Sequence, residues 1–395
     1  MSLRTTAAFT LGKLVGYVSR SLQLGSGITW AGEIALRIDP SIISFIRTHT
    51  SSIILVAGTN GKTTTVSMIK HLLEKKGYTV IHNATGANLR NGIVGTFITH
   101  YNNADSSRNC YALFEVDEAE LSNIAHLIAP NSLVLLNLFR DQLDRYGEVN
   151  SITEKWAAAL QRLDPETSLI VNADDPALSY VAEKSGLRYV HFFGISEPSA
   201  KAGKHLDVWA DSIYCSNCGG KLAYDQQFFS HLGNWDCSKC NRKRKKLEQA
   251  GGSIPLSLSG KYNQYNAAAA LLAVKTLNVD VRVDELADFK PAFGRQEEFT
   301  VRNRTIKLFL SKNPTGSNES IRTVLSLNPH PHVLFVLNDR IPDGTDVSWI
   351  WDVAVEAIVQ SAASVICSGD RVWDMALRLQ YAQKFKIQNS KFKIE

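Results

Sequence analysis

Gly58-Thr59-Asn60-Gly61-Lys62-Thr63-Thr64 are residues of the types, and at the spacing, that hold a nucleotide phosphate. Glycines let backbone amides turn inward, Lys62 neutralises the outer phosphates, and the Thr63 hydroxyl suits a magnesium ligand. The full pattern G-x-x-x-x-G-K-[ST] would want glycine at position 56, where the chain has Val56, so this is the shorter G-x-x-G-K-T form. The bland alternative is a glycine turn that binds nothing. The apolar "SIILVAG" before it and the helix-periodic "VSMIKHLLEKKG" after it argue against that, because they set the loop between a strand and a helix N-terminus.

A second constellation is Cys215-x-x-Cys218 and Cys237-x-x-Cys240, two knuckles 18 residues apart. Four thiolates close a tetrahedral zinc shell and leave no open position, so a structural zinc ribbon is expected. Gly219 and Gly220 follow the first knuckle, where a tight turn suits amides directed at sulfur. Arg242, Lys243, Arg244, Lys245 and Lys246 then supply five consecutive positive charges, which equal the whole net charge of +5. Such runs are mostly solvated loops, and that is the expectation; a nucleic-acid-binding ribbon is the minority reading. Cys110 and Cys367 read as small core residues, and the cysteine usage as that of a reduced, cytosolic protein.

These residues need a scaffold. From about 50 to 200, β-type runs ("YTVIHNA", "YALFEVD", "SLVLLNL", "TSLIVNA", "LRYVHFF") alternate with helix-type stretches such as "SITEKWAAALQRL". That alternation predicts an α/β fold with a mostly parallel sheet covered by helices on both faces. Gly251 and Gly252 close the cysteine-bearing insertion at about 205–250, and "NQYNAAAALLAVKTL" returns as an alanine-rich helix. A smaller C-terminal α/β unit follows from "TIKLFLS", "HVLFVLN", "ASVICSG" and "RVWDMALRLQYA", with a frayed end after it. The expected segments are an N-terminal helical part (1–48), a central domain (49–298) and a C-terminal domain (299–395). In the first, Leu11, Leu14, Val15, Val18 and Leu22 recur at helical spacing; packing on the protein's own body is expected, and membrane-surface contact is the second reading. Composition is that of a soluble globular protein, with 44% hydrophobic and 21% charged residues and neither a membrane-spanning run nor a signal peptide.

Taken in order, the short loop, "LFEVDEAEL" (113–121), "LNLFRDQLDRYGE" (136–148), "VNADDP" (171–176), "GKYNQYNAAAA" (260–270) and "FGRQEEF" (293–299) resemble the Mur ligase and folylpolyglutamate synthase superfamily. The resemblance implies a Mur-ligase-like central P-loop domain and a Rossmann-like C-terminal domain. It also implies ATP-driven conversion of a carboxylate to an acyl phosphate that an amine attacks. Residue by residue, it implies that Glu115 shares magnesium with Thr63, that Asn263 and Asn266 lie by the adenine, and that Arg295 reaches the nucleotide from the domain junction.

Two positions depart from the amino-acid-adding members. Gln142 replaces a metal-binding histidine, and Ser311-Lys312 stands where an aspartate precedes the Asn-Pro element. With the cysteines, "GANLRNGIVG" (86–95) and "NDRIPDGTDVSWIWD" (338–352), this resembles an amidating branch of the superfamily. There a cytoplasmic synthetase subunit pairs with a glutaminase of GatD type and uses its ammonia on the D-glutamate α-carboxylate of the lipid II stem peptide. Membrane contact at the inner face is then peripheral at most. The same resemblance offers Asp346 or Asp352 to the glutaminase, with a turn or capping role equally expected for each, and a C-terminal domain shortened for the family. The rivals are a free-standing ligase adding an amino acid and a nucleotide-gated zinc-ribbon binding module.

Overall fold

The computed structural model describes residues 2–23, 25–84, 86–101, 109–139, 149–197, 212–290, 294–340 and 345–384. Helices α1 (Leu3–Ser21), α2 (Ile28–Ile38) and α3 (Ile42–Thr48) precede β1 (Ser52–Ala57). The chain then alternates through α4 (Lys62–Lys75), β2 (Thr79–His82), α5 (Arg90–His100), β3 (Cys110–Val116), α6 (Leu121–Ile128) and β4 (Ser132–Leu135). It continues through α7 (Val149–Leu160), β5 (Ser168–Asn172), α8 (Pro176–Lys184) and β6 (Tyr189–Ile195). A hairpin of β7 (Ala223–Phe229) and β8 (Leu232–Asp236) carries the cysteine knuckles, before β9 (Gln249–Gly251) and α9 (Lys261–Lys275).

Seven strands pair in parallel in the order β2-β3-β1-β4-β5-β6-β9. β1 is buried along its whole length, and its side chains alternate between two cores. Ile53, Leu55 and Ala57 meet one layer with Trp156 and Leu178, while Ile54 and Val56 meet Leu72, Leu73 and the alanines of α9. The chain crosses from β3 on one side of β1 to β4 on the other, so the topological switch lies at β1, where ligands bind in open α/β sheets. The α/β expectation therefore stands, with helices on both faces.

Two expectations are corrected. The leucine face of α1 does not pack on the body: Leu11, Leu14, Val18 and Leu22 are exposed, while Thr5, Ala8, Phe9, Gly12, Gly16 and Ser19 are buried. Close helix approach explains the inversion. At Gly12 of α1 an added Cβ would lie 3.1 Å from the Ala31 carbonyl oxygen of α2, and at Gly27 it would lie 2.8 Å from the Gly16 carbonyl oxygen of α1, so the glycine side of α1 is the one that faces α2.

The basic run is a solvated loop only in part: Lys243 and Lys246 are exposed, but its two arginines are tied down. Arg244 Nε donates to the fully buried Asp174 at 2.6 Å, and Arg242 pairs with Glu183 at 2.6 Å while stacking over Trp235 and Tyr180. A buried carboxylate requires a cation, and the ribbon supplies one from outside the sheet.

The C-terminal part holds the antiparallel β10 (Arg295–Val301) and β11 (Arg304–Phe309), α10 (Pro314–Leu327), β12 (His332–Val336), α11 (Glu356–Ser361), β13 (Ser364–Ser368) and α12 (Val372–Lys384). β12 and β13 pair in parallel. The domain boundary expected near 298 falls inside β10. No helix among the described residues is long and apolar enough to cross a membrane.

Candidate active site at the phosphate loop, with a cysteine cluster

The phosphate loop is the turn from β1 into α4. Gly61 has φ +89°, and an added Cβ would stand 2.2 Å from the Asn266 amide oxygen, so only glycine fits. Gly61→Ala is expected to raise the KM for ATP by about tenfold or more, at a folding cost of about 1–3 kcal/mol. ATP titration beside a thermal melt checks it, and an unchanged KM would remove the loop from the nucleotide site.

The segment leaving β4, beside β1, braces the loop. Asn137, just past β4, accepts from the Asn60 backbone N–H at 2.9 Å and donates to the Asn60 carbonyl at 3.0 Å. The Thr59 hydroxyl donates to the Phe139 carbonyl and accepts from its N–H, at 3.2 and 3.0 Å. The loop backbone is thus fixed by its neighbours, which lowers the entropic cost of binding.

Lys62 is buried, donating to the Gly58 and Thr59 carbonyls at 2.5 and 3.2 Å and to Glu118 at 3.1 Å. Burial works against its charge, but Glu118 and Glu115 outweigh it and hold the pKa above the ordinary lysine value. The Thr63 hydroxyl donates to Glu115 Oε2 at 2.7 Å. Neighbouring oxygens of an octahedral magnesium shell lie about 3 Å apart, so this pair fits two of its ligands. Glu115 is fixed from behind by Asn83, which donates to its carbonyl and accepts from its N–H, both at 2.9 Å.

Thr64 lies buried in the first turn of α4. Asn266 of α9 accepts from the Thr65 hydroxyl at 3.3 Å, and Asn263 donates to the Ser259 carbonyl at 2.7 Å. Both asparagines thus gather behind the loop. Arg295 opens β10, and its side chain lies outside the described residues, as do Gln142 and the rest of 140–148. Asp346 and Asp352 sit elsewhere, at the two ends of a 3₁₀ turn (Ser348–Asp352) of the C-terminal domain. Asp346 accepts from the Ser348 N–H at 2.8 Å and hydroxyl at 3.0 Å, which is the local turn role.

Sequence reasoning missed three contributors. Glu118 lay unassigned inside a quoted motif, three residues after Glu115, and its Oε1 is buried without a hydrogen-bond partner. Asn313 caps α10 by accepting from the Gly316 N–H at 2.8 Å, and it donates to Asn60 Oδ1 at 3.0 Å. Two helix N-termini, those of α4 and α10, thereby converge on the loop. Gln296 has φ +60° at a β-bulge and grips the Ser259 backbone, accepting at 2.9 Å and donating at 2.7 Å. It ties the C-terminal hairpin to the start of α9.

The four ribbon cysteines place their sulfurs within 4.8 Å of one another, with 3.7 Å from Cys215 to Cys240 and 3.5 Å from Cys218 to Cys237. A zinc tetrathiolate needs sulfurs about 3.8 Å apart, so the cluster fits a zinc ion. The knuckles repeat each other. Gly219 and Asn241 both have positive φ and donate to the Cys215 and Cys237 carbonyls, while Cys215 and Cys237 N–H groups donate to Gly220 and Arg242. The Arg242 amide at Cys240 holds that thiol down to about 6. Arg242 also donates to Cys215 Sγ at 3.5 Å, which offsets thiolate charge.

A phosphate loop at the switch point, a hydroxyl–carboxylate pair beside it and a second domain reaching its asparagine define an ATP-site ligase architecture. Residues 56–274 match the Mur ligase middle domain and residues 310–395 the MurT ligase C-terminal domain. The MurT subunit of lipid II isoglutaminyl synthase from Streptococcus pneumoniae is 31% identical over 96% of this chain and 87% of its own length. A pseudomurein peptide ligase type C from Methanothermus fervidus shares the fold with TM-score 0.63 at 22% identity, covering 88% of this chain and 68% of that one. MurF from Thermotoga maritima, solved with ADP, has TM-score 0.57 at 16% identity, covering 94% and 80%. The chain belongs to the Mur ligase family and, within it, to the MurT-type ligase subunits.

Proposed function

We propose that this chain is the ATP-dependent synthetase subunit that amidates the D-glutamate α-carboxylate of the lipid II stem peptide, at the inner face of the cytoplasmic membrane. The observation that carries it is Lys62 and Thr63 meeting Glu118 and Glu115 at 3.1 and 2.7 Å on the phosphate loop, in a chain similar along its length to curated MurT subunits. One acceptor carboxylate oxygen attacks the γ-phosphorus of ATP, and ADP leaves with the β–γ bridging oxygen. Ammonia, supplied by a GatD-type glutaminase, then attacks the acyl carbon. Phosphate departs with the acceptor's oxygen, and a proton is lost from nitrogen. Lys62 and the loop amides stabilise charge on the transferring group, and Asn263, Asn266 and Arg295 hold the nucleoside end. Magnesium, when bound by Thr63 and Glu115, neutralises phosphate oxygens. Ammonia is small and uncharged, so this ligase needs no pocket for an incoming amino acid, and Gln142, where amino-acid adders have a metal-binding histidine, is a weaker ligand for a second magnesium. Acceptor labelled with oxygen-18 in the carboxylate should transfer one label to inorganic phosphate per turnover; unlabelled phosphate during confirmed turnover rules the acyl phosphate out.

Of the two C-terminal aspartates, we assign Asp346 to the glutaminase, where it would orient that subunit's catalytic histidine. Asparagine keeps an acceptor oxygen for the Ser348 N–H, so Asp346→Asn preserves this turn. The expected result is at least about a hundredfold loss of glutamine-driven amidation, with free-ammonia activity within about twofold of the parent. Equal loss with both nitrogen donors would leave Asp346 a turn residue.

A further inference from the structure

The exposed side of α1 is an unexplained surface. Leu3 (92% exposed), Leu14 (54%), Tyr17 (65%) and Leu22 (63%) share that side with Leu11 and Val18, and Trp30 in the first turn of α2 is exposed too. The inward side is already filled by Phe9 and by small residues, and these leucines stand outside that packing. A continuous apolar stripe left in water marks a binding surface.

Charge indicates the occupant. Residues 1–48 hold five cations (Arg4, Lys13, Arg20, Arg37, Arg47) and two carboxylates, and α1 itself has no carboxylate. Asp39 is buried and accepts from Thr5 and Ser41, while Glu33 is tied to Arg37 at 3.0 Å. Lys13 and Arg20 rest on the neutral Tyr101 and Ser26 carbonyls. At 3.6 residues per turn, Arg4 borders one edge of the stripe and Lys13 and Arg20 the other. An apolar strip flanked by cations, with a Tyr and a Trp beside it, is the pattern of a helix lying in a bilayer interface.

We propose that the outward face of α1, with Trp30, docks this protein on an anionic bilayer surface. This rests on the reading above only for its purpose, which is to bring the ATP site to a lipid-borne acceptor. The full chain, with any subunit that copurifies, is to be sedimented with acceptor-free vesicles of mixed phosphatidylglycerol and phosphatidylcholine, or of phosphatidylcholine alone. Binding to the anionic vesicles is expected, at least about tenfold weaker on the neutral ones and weakened by salt. Leu11→Glu with Leu14→Glu should reduce it by at least about tenfold, with the melting temperature and turnover of a soluble muropeptide acceptor unchanged. Three results overturn the proposal: no binding by the parent, equal binding by the double variant, or a solution dimer of the parent that the variant converts to monomers. Intact vesicle binding without ATP-dependent amidation would sink the function reading and leave this surface standing.

Discussion

Lys62→Met abolishes acceptor-dependent ADP release, lowering turnover by roughly 10³-fold or more. One preorganised donor to a transferring group contributes about 10²–10³ in rate, and Lys62 carries a full charge as well. The substitution also strands Glu118, which is buried and bonded to Lys62 at 3.1 Å. Removing one partner of a buried ion pair costs about 3–5 kcal/mol, so lost folding must be separated from lost chemistry. The double variant Lys62→Met with Glu118→Gln does this. Its melting temperature should recover most of the loss, because no bare carboxylate stays buried, while activity remains absent. If activity returned together with stability, Lys62 would be a structural cation and the phosphate assignment would fall.

Zinc removal is expected to have the second largest effect. The ribbon's own core is Cys215, Leu222, Trp235 and Cys237, too few side chains to fold unaided. Chelation, or Cys237→Ser, should therefore unfold the ribbon. The damage would spread. Trp235 donates to the Ala173 carbonyl at 3.0 Å, and Asp174 would lose Arg244 while keeping Tyr265 at 2.7 Å. Burial already pushes the Asp174 carboxyl above the usual range despite Arg244, so losing that cation leaves an ill-favoured charge in the sheet. A loss of about 3–5 kcal/mol is about 10 °C in melting temperature for a domain of this size.

The ATP site should weaken too. Phe139, bonded to Thr59, packs against Phe229 and His231 at the hairpin tip, with ring centroids 5.3 and 4.7 Å away. Zinc released under denaturation should reach one ion per chain, and the KM for ATP should rise when it is stripped. A metal-free protein with unaltered melting and KM would make the cluster dispensable.

What the sequence determined by itself is what short segments enforce. The strand, glycine turn and helix of the phosphate loop are local: Gly61 needs its positive φ whatever surrounds it, and β1 reads as a buried strand because both its faces are apolar. The knuckles are legible for the same reason, since Gly219 and Asn241 turn within a few residues of the sulfurs they serve. The helix–strand alternation likewise limits the topology to a mostly parallel sheet.

The tertiary structure decided what depends on which segments become neighbours. Glu118 is 56 residues from Lys62, and Asn313 is 253 residues from Asn60; only the placement of β3 beside β1, and of α10 over the loop, brings them together. The same holds for the two corrections. α1 is apolar on both sides, and periodicity cannot say that its Gly12 and Gly16 side is the one that lies against Ala31 and Gly27 at α2. A basic run looks solvated until the buried Asp174 opposite Arg244 is known. Local backbone preference acts over a few residues, whereas the burial of charge and the closeness of helix packing are set by partners far along the chain.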